Sequence, residues 1–297
     1  MTVEVHIVGS HRAELGESPV WSGRDSTLYW VDVDGQTIQA LPWGRNEPDV
    51  WALPGRPSCI ALTSDPTRFV VAMGAGLIEY DAASGQWHEL MALESVTGVR
   101  MNDGRPDRSG RMWIGSMDER EVNAEGFPAG HLFRIDRDGS VDAMIDGVAT
   151  SNGLAFSPDG RTMYWTDTQT QVIWAFDYDV STGAAFNRKV FFDCGELPGK
   201  PDGACVDADG CYWSACVYGW AIARITPSGR VDRVIELPVE KPSMPAFAGP
   251  ALDTLVVTSI SSGGRRPASP GQPDAGALLM LDVGMSGLPE PVCAIDL

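Results

Sequence analysis

A fifty-residue repeat at the centre of the chain most constrains how this sequence can fold. Three polar residues stand at intervals of fifty: Asn102, Asn152 and Asp202. Eight residues after each comes a glycine, at positions 110, 160 and 210, and a short apolar and aromatic run follows each glycine. A strand, a glycine turn and a second strand are typical of an antiparallel β-hairpin. If such units surround an axis, the three polar side chains converge.

The repeat extends towards both ends of the chain. The second strands of six units begin at positions 28, 69, 112, 163, 211 and 255, which are steps of 41 to 51 residues. A strand-rich period of this length is typical of a propeller blade. A further apolar strand follows in every unit. The sequence therefore predicts an all-β fold, a six-bladed β-propeller with four-stranded blades, as a single domain over residues 1–297.

The two ends of the chain are predicted to close the ring. Glu4–Val8 and Pro291–Ile295 are both short β-like segments. One can add a strand beside the other and so remove the open edges of a linear repeat. A pair of β-sandwiches is the alternative fold, but it does not explain why polar residues and glycines keep fixed offsets.

Composition narrows the classes of partner. The formal net charge is −18 and the pI is about 4.5, which argues against nucleic acid and anionic membrane surfaces as partners. We find neither a signal peptide nor a stretch of about 18 apolar residues. The six cysteines lack metal-finger spacing, so we expect reduced, mostly buried thiols and a cytoplasmic protein.

The repeat rule adds a fourth polar residue to the three at its centre. In the first unit Asp25 aligns with the turn glycines, and Glu17 lies eight residues before it. The inner strand of a blade lines the central channel, so all four side chains are expected at one mouth of that channel. The equivalent places in the second and sixth units hold Ser58 and Met244, so two blades contribute no such group.

Two carboxylates and two amides form a set of oxygen donors. Ca²⁺, Mg²⁺ and Mn²⁺ prefer oxygen ligands, and Zn²⁺ accepts them with water. The alternative is structural, because an Asn or Asp before glycine often only caps its own turn. Three such residues at one offset, together with Glu17 at the same offset in a fourth unit, favour a metal site. No Gly-x-Ser-x-Gly motif or Ser–His–Asp arrangement points to another chemistry.

Several stretches together resemble a known family, and they run from the first repeat to the last. The chain is similar to the gluconolactonase family that includes regucalcin (senescence marker protein-30) and luciferin-regenerating enzyme. The stretches that carry the resemblance are Leu15-Gly-Glu-Ser-Pro-Val-Trp21, Arg100-Met-Asn-Asp-Gly104, Gly110-Arg-Met-Trp-Ile-Gly-Ser-Met117, Ser151-Asn-Gly-Leu-Ala-Phe156, Ala175-Phe-Asp-Tyr-Asp179, Pro201-Asp-Gly203 and Gln272-Pro-Asp-Ala-Gly276.

The resemblance implies a propeller with one divalent metal ion in its channel and hydrolysis of sugar (aldono) lactones. It implies that Glu17, Asn152 and Asp202 are the metal ligands and that Asn102, with Arg100, contacts the substrate. The chain departs from the family at one further substrate contact, a glutamate. An ungapped alignment places Arg120 there, and a local shift would bring Glu119 or Glu121 to that position.

The expected mechanism is metal-assisted hydrolysis with Asp202 as the general base, while Asp103 or Glu119 is the alternative base. Tyr218 follows the second strand of the fifth blade and is a candidate substrate contact. The stretch Ser261–Pro273 is interpreted as a mobile, solvated insertion rather than as a rim of the pocket.

Three functions remain open from the sequence. The leading one is a sugar lactonase. The others are a metal-dependent esterase or phosphotriesterase and a non-enzymatic calcium-binding or scaffold propeller. The sequence does not choose among Ca, Zn, Mn, Mg and Fe, and it does not name the sugar. A small-molecule sugar lactone is the expected partner, and the chain is expected to be a monomer or a weak homo-oligomer.

Overall fold

The computed structural model describes residues 3–296, which form 24 β-strands and one short 3-10 helix, Cys194–Glu196. The strands are β1 Val5–Val8, β2 Gly16–Ser22, β3 Thr27–Asp32, β4 Thr37–Pro42, β5 Asp49–Ala52, β6 Pro57–Leu62, β7 Arg68–Met73, β8 Gly76–Asp81, β9 Gln86–Ala92, β10 Val99–Pro106, β11 Met112–Asp118, β12 Gly130–Ile135, β13 Val141–Val148, β14 Ser151–Phe156, β15 Thr162–Asp167, β16 Val172–Asp179, β17 Ala184–Asp193, β18 Lys200–Val206, β19 Tyr212–Val217, β20 Ala221–Ile225, β21 Val231–Glu236, β22 Pro242–Ala248, β23 Thr254–Ser259 and β24 Leu278–Asp282.

The strands form six four-stranded antiparallel sheets, and the predicted six-bladed propeller is confirmed. Five blades are made from consecutive strands, beginning at β2, β6, β10, β14 and β18. These first strands and β22 are the inner strands, and each contacts the next around a closed circle. The sixth blade has the order β1-β24-β23-β22, with Val5 opposite Leu281. The N-terminal strand therefore completes the last blade, but its partner is β24 rather than the predicted segment Pro291–Ile295.

The C-terminal segment differs from the prediction, because Pro291–Ile295 is not a strand. The Cys293 N–H donates to the Leu62 carbonyl at 2.7 Å, and the Ala294 N–H donates to the Gly110 carbonyl at 2.9 Å. Leu62 is the last residue of β6, and Gly110 lies in the turn between β10 and β11, so the acceptors belong to two different blades. The segment thus crosses the turn face of the propeller, where no single partner strand is available to form a ladder.

The predicted turn glycines adopt backbone conformations that favour glycine. Their φ angles are +85° at Gly110, +68° at Gly160 and +83° at Gly210. A side chain at the start of each turn holds it closed. Asp207, for example, accepts hydrogen bonds from the Asp209 and Cys211 N–H groups at 3.1 and 2.9 Å. This repeated turn explains why the spacing between polar residue and glycine is constant.

The hydrophobic core lies between neighbouring blades rather than at the axis. Tyr164 and Ile173 of one blade, for instance, pack with Tyr212 and Ala223 of the next. All six cysteines are buried and free. In the part of the chain that the structure describes, no helix has the length and apolar character that a membrane crossing requires.

Candidate active site at the mouth of the channel

A β-bulge lies near the start of every inner strand, where the sequence places the polar residues. The pairing register slips between Glu17 and Val20, between Asn152 and Ala155, and between Pro201 and Ala204. A bulge bends its strand and redirects the neighbouring side chains. The polar side chains therefore lie at bulges rather than within regular ladders.

A cavity of about 510 Å³ opens at this end of the channel. Six of the seven residues predicted for the site line it together, namely Glu17, Arg100, Asn102, Asn152, Asp202 and Tyr218. Asn152 and Asp202 are buried, with exposures of 4% and 7%, whereas Glu17 and Asn102 are half-buried. Cavities of this volume are typical of small-molecule sites. The four residues that the repeat spacing predicted, Glu17, Asn102, Asn152 and Asp202, therefore lie around one cavity.

Hydrogen bonds fix the orientation of the two amides. The Asn152 Nδ2 donates to Thr168 Oγ1 at 2.8 Å, and Thr168 Oγ1 donates to the Pro201 carbonyl at 2.9 Å. The Asn102 Nδ2 donates to the Ser151 carbonyl at 2.8 Å and to Asn152 Oδ1 at 3.1 Å. The Asn152 amide nitrogen is thus held by Thr168, and its oxygen, which accepts one hydrogen bond from Asn102, keeps a second lone pair for a further donor or a cation.

The carboxylates of the cavity lie in surroundings that oppose their ionisation. Burial, followed by the charges of Asp202 and Asp103, raises the pKa of Glu17 well above its usual range. Burial and the charge of Asp103 likewise raise the pKa of Asp202 to about 8. Within residues 3–296, no basic side chain lies within 4.0 Å of either carboxylate. A cation at this place would stabilise their ionised forms.

The donor set of Glu17, Asn152 and Asp202 fits a divalent cation that prefers oxygen, because two carboxylates and one amide oxygen converge without a basic partner. Over residues 3–296 there is no group of three His, Cys, Asp or Glu side chains in a metal-binding arrangement. The predicted ligand set is outside that pattern, since its third member is an amide.

Arg100 lines the cavity, whereas Glu119 lies behind it. The Arg100 Nε donates to Glu119 Oε1 at 2.9 Å, and Nη1 donates to Asn102 Oδ1 at 3.1 Å. Glu119 also accepts from Arg56 at 3.0 Å and is not among the residues that line the cavity. Arg120 stands where the ungapped alignment places the family's glutamate. It pairs with Asp118, the last residue of β11, at 2.6 Å.

The insertion at Ser261–Pro273 contributes to the pocket, contrary to its interpretation as a solvated excursion. Gly264, Arg265 and Arg266 line the cavity. The Gly264 N–H donates to Asp34 Oδ2 at 2.9 Å, and the buried Lys241 Nζ donates to the Arg266 carbonyl at 2.7 Å. These contacts tie the insertion to the first and sixth blades, which places it at the rim.

Tyr218 occupies a strained turn on the same rim. Its φ angle is +67°, and that of Trp220 is +56°, so two non-glycine residues are left-handed on either side of Gly219. The Arg266 guanidinium lies over the Tyr218 ring, 4.1 Å from its centroid. Strained turns of this kind occur where the surrounding structure holds a side chain in a required position.

Four further residues line the cavity that the sequence did not predict, although a signal for the first was present: Lys200, Thr168, Arg265 and Arg266. Two residues before each predicted polar group stands another residue that lines the cavity: Leu15, Arg100, Thr150 and Lys200. The repeat rule, applied at this second offset, identifies Lys200. The arginines belong to an insertion outside the repeat, so no such rule could find them.

Comparison with known proteins identifies similar sequences. The family model described as SMP-30/Gluconolactonase/LRE-like region matches residues 15–261. A 6-deoxy-6-sulfogluconolactonase of Pseudomonas putida is 35% identical over 94% of this chain and 95% of its own length. A pentonolactonase of Haloferax volcanii is 34% identical over 93% of each chain.

Solved structures extend the likeness to the fold. A calcium-binding protein, regucalcin from Agrobacterium tumefaciens, superposes with a TM-score of 0.91 at 29% identity, covering 100% of this chain and 99% of its own. Because the family model covers most of the sequence and the relatives align over nearly their whole lengths, the chain belongs to the SMP-30/gluconolactonase/LRE-like family.

Proposed function

We propose that this protein hydrolyses sugar lactones to aldonic acids in the cavity at the channel mouth. The observation that carries the proposal is the convergence of Glu17, Asn102, Asn152 and Asp202, from four blades, around desolvated carboxylates without a basic partner. Relatives named as a sulfogluconolactonase, a pentonolactonase and an L-arabinolactonase support a sugar lactone as substrate.

Glu17, Asn152 and Asp202 would hold one divalent metal ion, chosen from Ca, Zn, Mn, Mg and Fe. When bound, such an ion polarises a lactone carbonyl and keeps neighbouring carboxylates ionised at neutral pH. Thr168 supports this set by fixing the Asn152 amide. The same residues would thus bind the cation and bring it next to the substrate.

Asp202 also has a role in proton transfer, and the remaining side chains orient the ring. Asp202 accepts a proton from the attacking water as the general base. Asn102 and Arg100 bind ring oxygens; the Arg100 Nη2 makes none of the hydrogen bonds found within residues 3–296 and is free to donate. Glu119 acts through Arg100 as a positioning residue. Tyr218 closes one side of the ring site.

The decisive experiment is a panel of aldono-1,4- and 1,5-lactones assayed by proton release, with metal-stripped protein and each metal restored in turn. We expect activity only with metal, and a loss of about 100-fold or more in kcat for Asp202→Ala. The matched control is Asp138→Asn, in the exposed turn between β12 and β13. Normal lactone hydrolysis by Asp202→Ala would contradict the role of this carboxylate.

A second function is favoured by the solved relative described as a calcium-binding protein. In that case the chain binds calcium at the same residues without catalysis. The panel distinguishes the two, because a binding protein shows calcium-dependent stabilisation but hydrolyses no lactone. An aryl ester and a phosphotriester in the same panel test the wider hydrolase class.

A further inference from the structure

Three basic side chains line the candidate active-site cavity in addition to Arg100. They are Lys200 at the start of β18 and Arg265 and Arg266 of the insertion. Their presence contrasts with a net charge of −18 for the whole chain. Such a local reversal of sign at a cavity mouth attracts anions that the rest of the surface repels.

Two of these cations have no carboxylate partner. The Lys200 Nζ contacts the Gln169 Oε1 at 3.0 Å, and the Arg265 Nη2 donates to the Asp118 carbonyl at 2.8 Å. Neither side chain has an Asp or Glu oxygen within 4.0 Å over residues 3–296. Their charges are therefore directed to the cavity and solvent without being neutralised.

Arg266 is only weakly paired. Its Nη2 lies 3.9 Å from Glu240 Oε1, and 62% of its side chain is exposed. Its guanidinium stacks on Tyr218, which leaves the edge of the fork available for hydrogen bonds. Arginine forks bind sulfonate, phosphate and carboxylate oxygens with paired donors.

The insertion presents its arginines from a fixed backbone. Lys241 is 1% exposed, and its Nζ donates to the Gly263 and Arg266 carbonyls at 3.1 and 2.7 Å. Glu240 accepts from the Ser269 N–H at 2.7 Å. A loop held in this way loses little entropy when a ligand binds, which favours recognition.

The predicted metal ligands and the basic side chains lie at different depths in the cavity. The predicted metal ligands Asn152 and Asp202 are buried, Lys200 is half-buried, and Arg265 and Arg266 are exposed. A lactone ring at the ligands would direct its substituent farthest from the carbonyl towards the basic side chains.

We propose that the preferred substrate is a sugar lactone that carries an anionic group away from the reacting carbonyl, bound by Lys200, Arg265 and Arg266. This inference rests on the proposed lactonase function. The shared chemistry is a sulfonate, a phosphate or a carboxylate, since each offers charged oxygens to an arginine fork.

The test compares glucono-1,5-lactone with its 6-sulfo-6-deoxy and 6-phospho counterparts and with a lactone that bears a terminal carboxylate. We expect kcat/KM to be about 10-fold or more higher for at least one anionic lactone, mainly through KM. The preference should fall as salt rises from about 0.05 to 0.5 M, because exposed charges are screened. The anionic lactone with the largest kcat/KM relative to glucono-1,5-lactone identifies which anion is preferred.

The double variant Arg265→Met/Arg266→Met and the single variant Lys200→Met test the residues. We expect each to reduce the ratio of kcat/KM between anionic and neutral lactone, by about 10-fold or more for the double variant. Arg230→Met, an exposed arginine outside the cavity, is the matched control. Thermal unfolding of each variant verifies that it is folded.

The outcomes separate the two proposals. If the neutral lactone is hydrolysed, but anionic lactones are no better and the double variant leaves the ratio unchanged, the anion preference is wrong and the lactonase function stands. If no lactone of any charge is hydrolysed with any metal, both proposals are wrong.

Discussion

At the scale of single residues, the carboxylates of the cavity are the unusual feature. Several exposed carboxylates of this chain are stabilised in their charged form; the pKa of Asp138, for example, is lowered by the hydrogen bonds that it accepts from Ser140. Glu17 and Asp202 show the opposite shift in pKa, because burial and the charges of neighbouring carboxylates, including Asp103, favour their protonated forms. A shift of this kind, inside a cavity, is typical of a functional site.

This shift predicts how the stability of metal-free protein depends on pH. Between about pH 4, where an aspartate of the unfolded chain titrates, and about pH 8, the folded-state value for Asp202, the native protein holds a proton that the unfolded chain has released. The free energy of unfolding therefore falls as pH rises through this window. Urea unfolding at pH 5 and pH 8, with metal removed, measures the difference.

Asp202→Asn is the matched variant for the pH experiment, because asparagine has nearly the same shape as aspartate but no carboxyl group that titrates. We expect a smaller loss of stability between pH 5 and pH 8 in this variant than in the wild type. Equal losses would show that Asp202 does not carry the pH dependence.

At the scale of elements, the bulge in each inner strand links local backbone geometry to the site. Gly153 follows Asn152 in such a bulge with a φ angle of +63°. A Cβ at this position would overlap the Tyr212 hydroxyl, which donates to the Gly153 carbonyl at 2.7 Å. The glycine is thus required both by its conformation and by the close approach of the next blade.

Gly153→Ala is predicted to destabilise the protein and to disturb the site. Gly85→Ala is the matched control, because Gly85 has a φ angle of +69° but open space around its Cβ position. Both variants carry a left-handed alanine at a cost of about 1–2 kcal/mol, and only the first adds an overlap. We expect a larger fall in the unfolding free energy for Gly153→Ala, with lower lactonase activity. Equal falls in unfolding free energy for the two variants would show that the overlap with Tyr212 has no cost.

In five of the six blades, the sequence identified the first three strands but not the fourth; the exception is the sixth blade, whose outer strand β1 was predicted. Inner strands such as β6 and β14 are buried along their whole length, so apolar runs and turns reveal them. The outer strands are solvent-exposed, as in Gln86–Ala92, and lack a marked pattern. Contacts that come from the insertion, such as those of Arg265, depend on tertiary packing and have no sequence period at all.

At the scale of the whole molecule, the ring depends on one short strand from the other end of the chain. Val5–Val8 pairs with β24, and its side chains, including Ile7, pack against the core of the last blade. Without this strand, the β24 edge would expose unpaired backbone groups and apolar side chains.

Removal of residues 1–9 is predicted to lower the thermal unfolding midpoint and to promote association through the exposed edge. Differential scanning calorimetry and light scattering measure the two effects. Ile7→Lys, which keeps the strand but disturbs its packing, is expected to lower the midpoint with less association. A truncated protein with an unchanged midpoint would mean that the ring closes without this strand.

The C-terminal segment on the turn face has a consequence for the path of ligands. Glu290 and Pro291 lie beside Ile60 and Gly104 of the inner strands, and the cavities left there are only about 20 Å³, room for about one water molecule. The channel is therefore closed at this end and open only at the candidate active site. A substrate that enters at the basic rim, which Lys200, Arg265 and Arg266 form, must leave as product by the same route. Hydrolysis of the lactone ester adds the negative charge of a carboxylate to that product. Product release, rather than bond cleavage, is then the step that salt should accelerate.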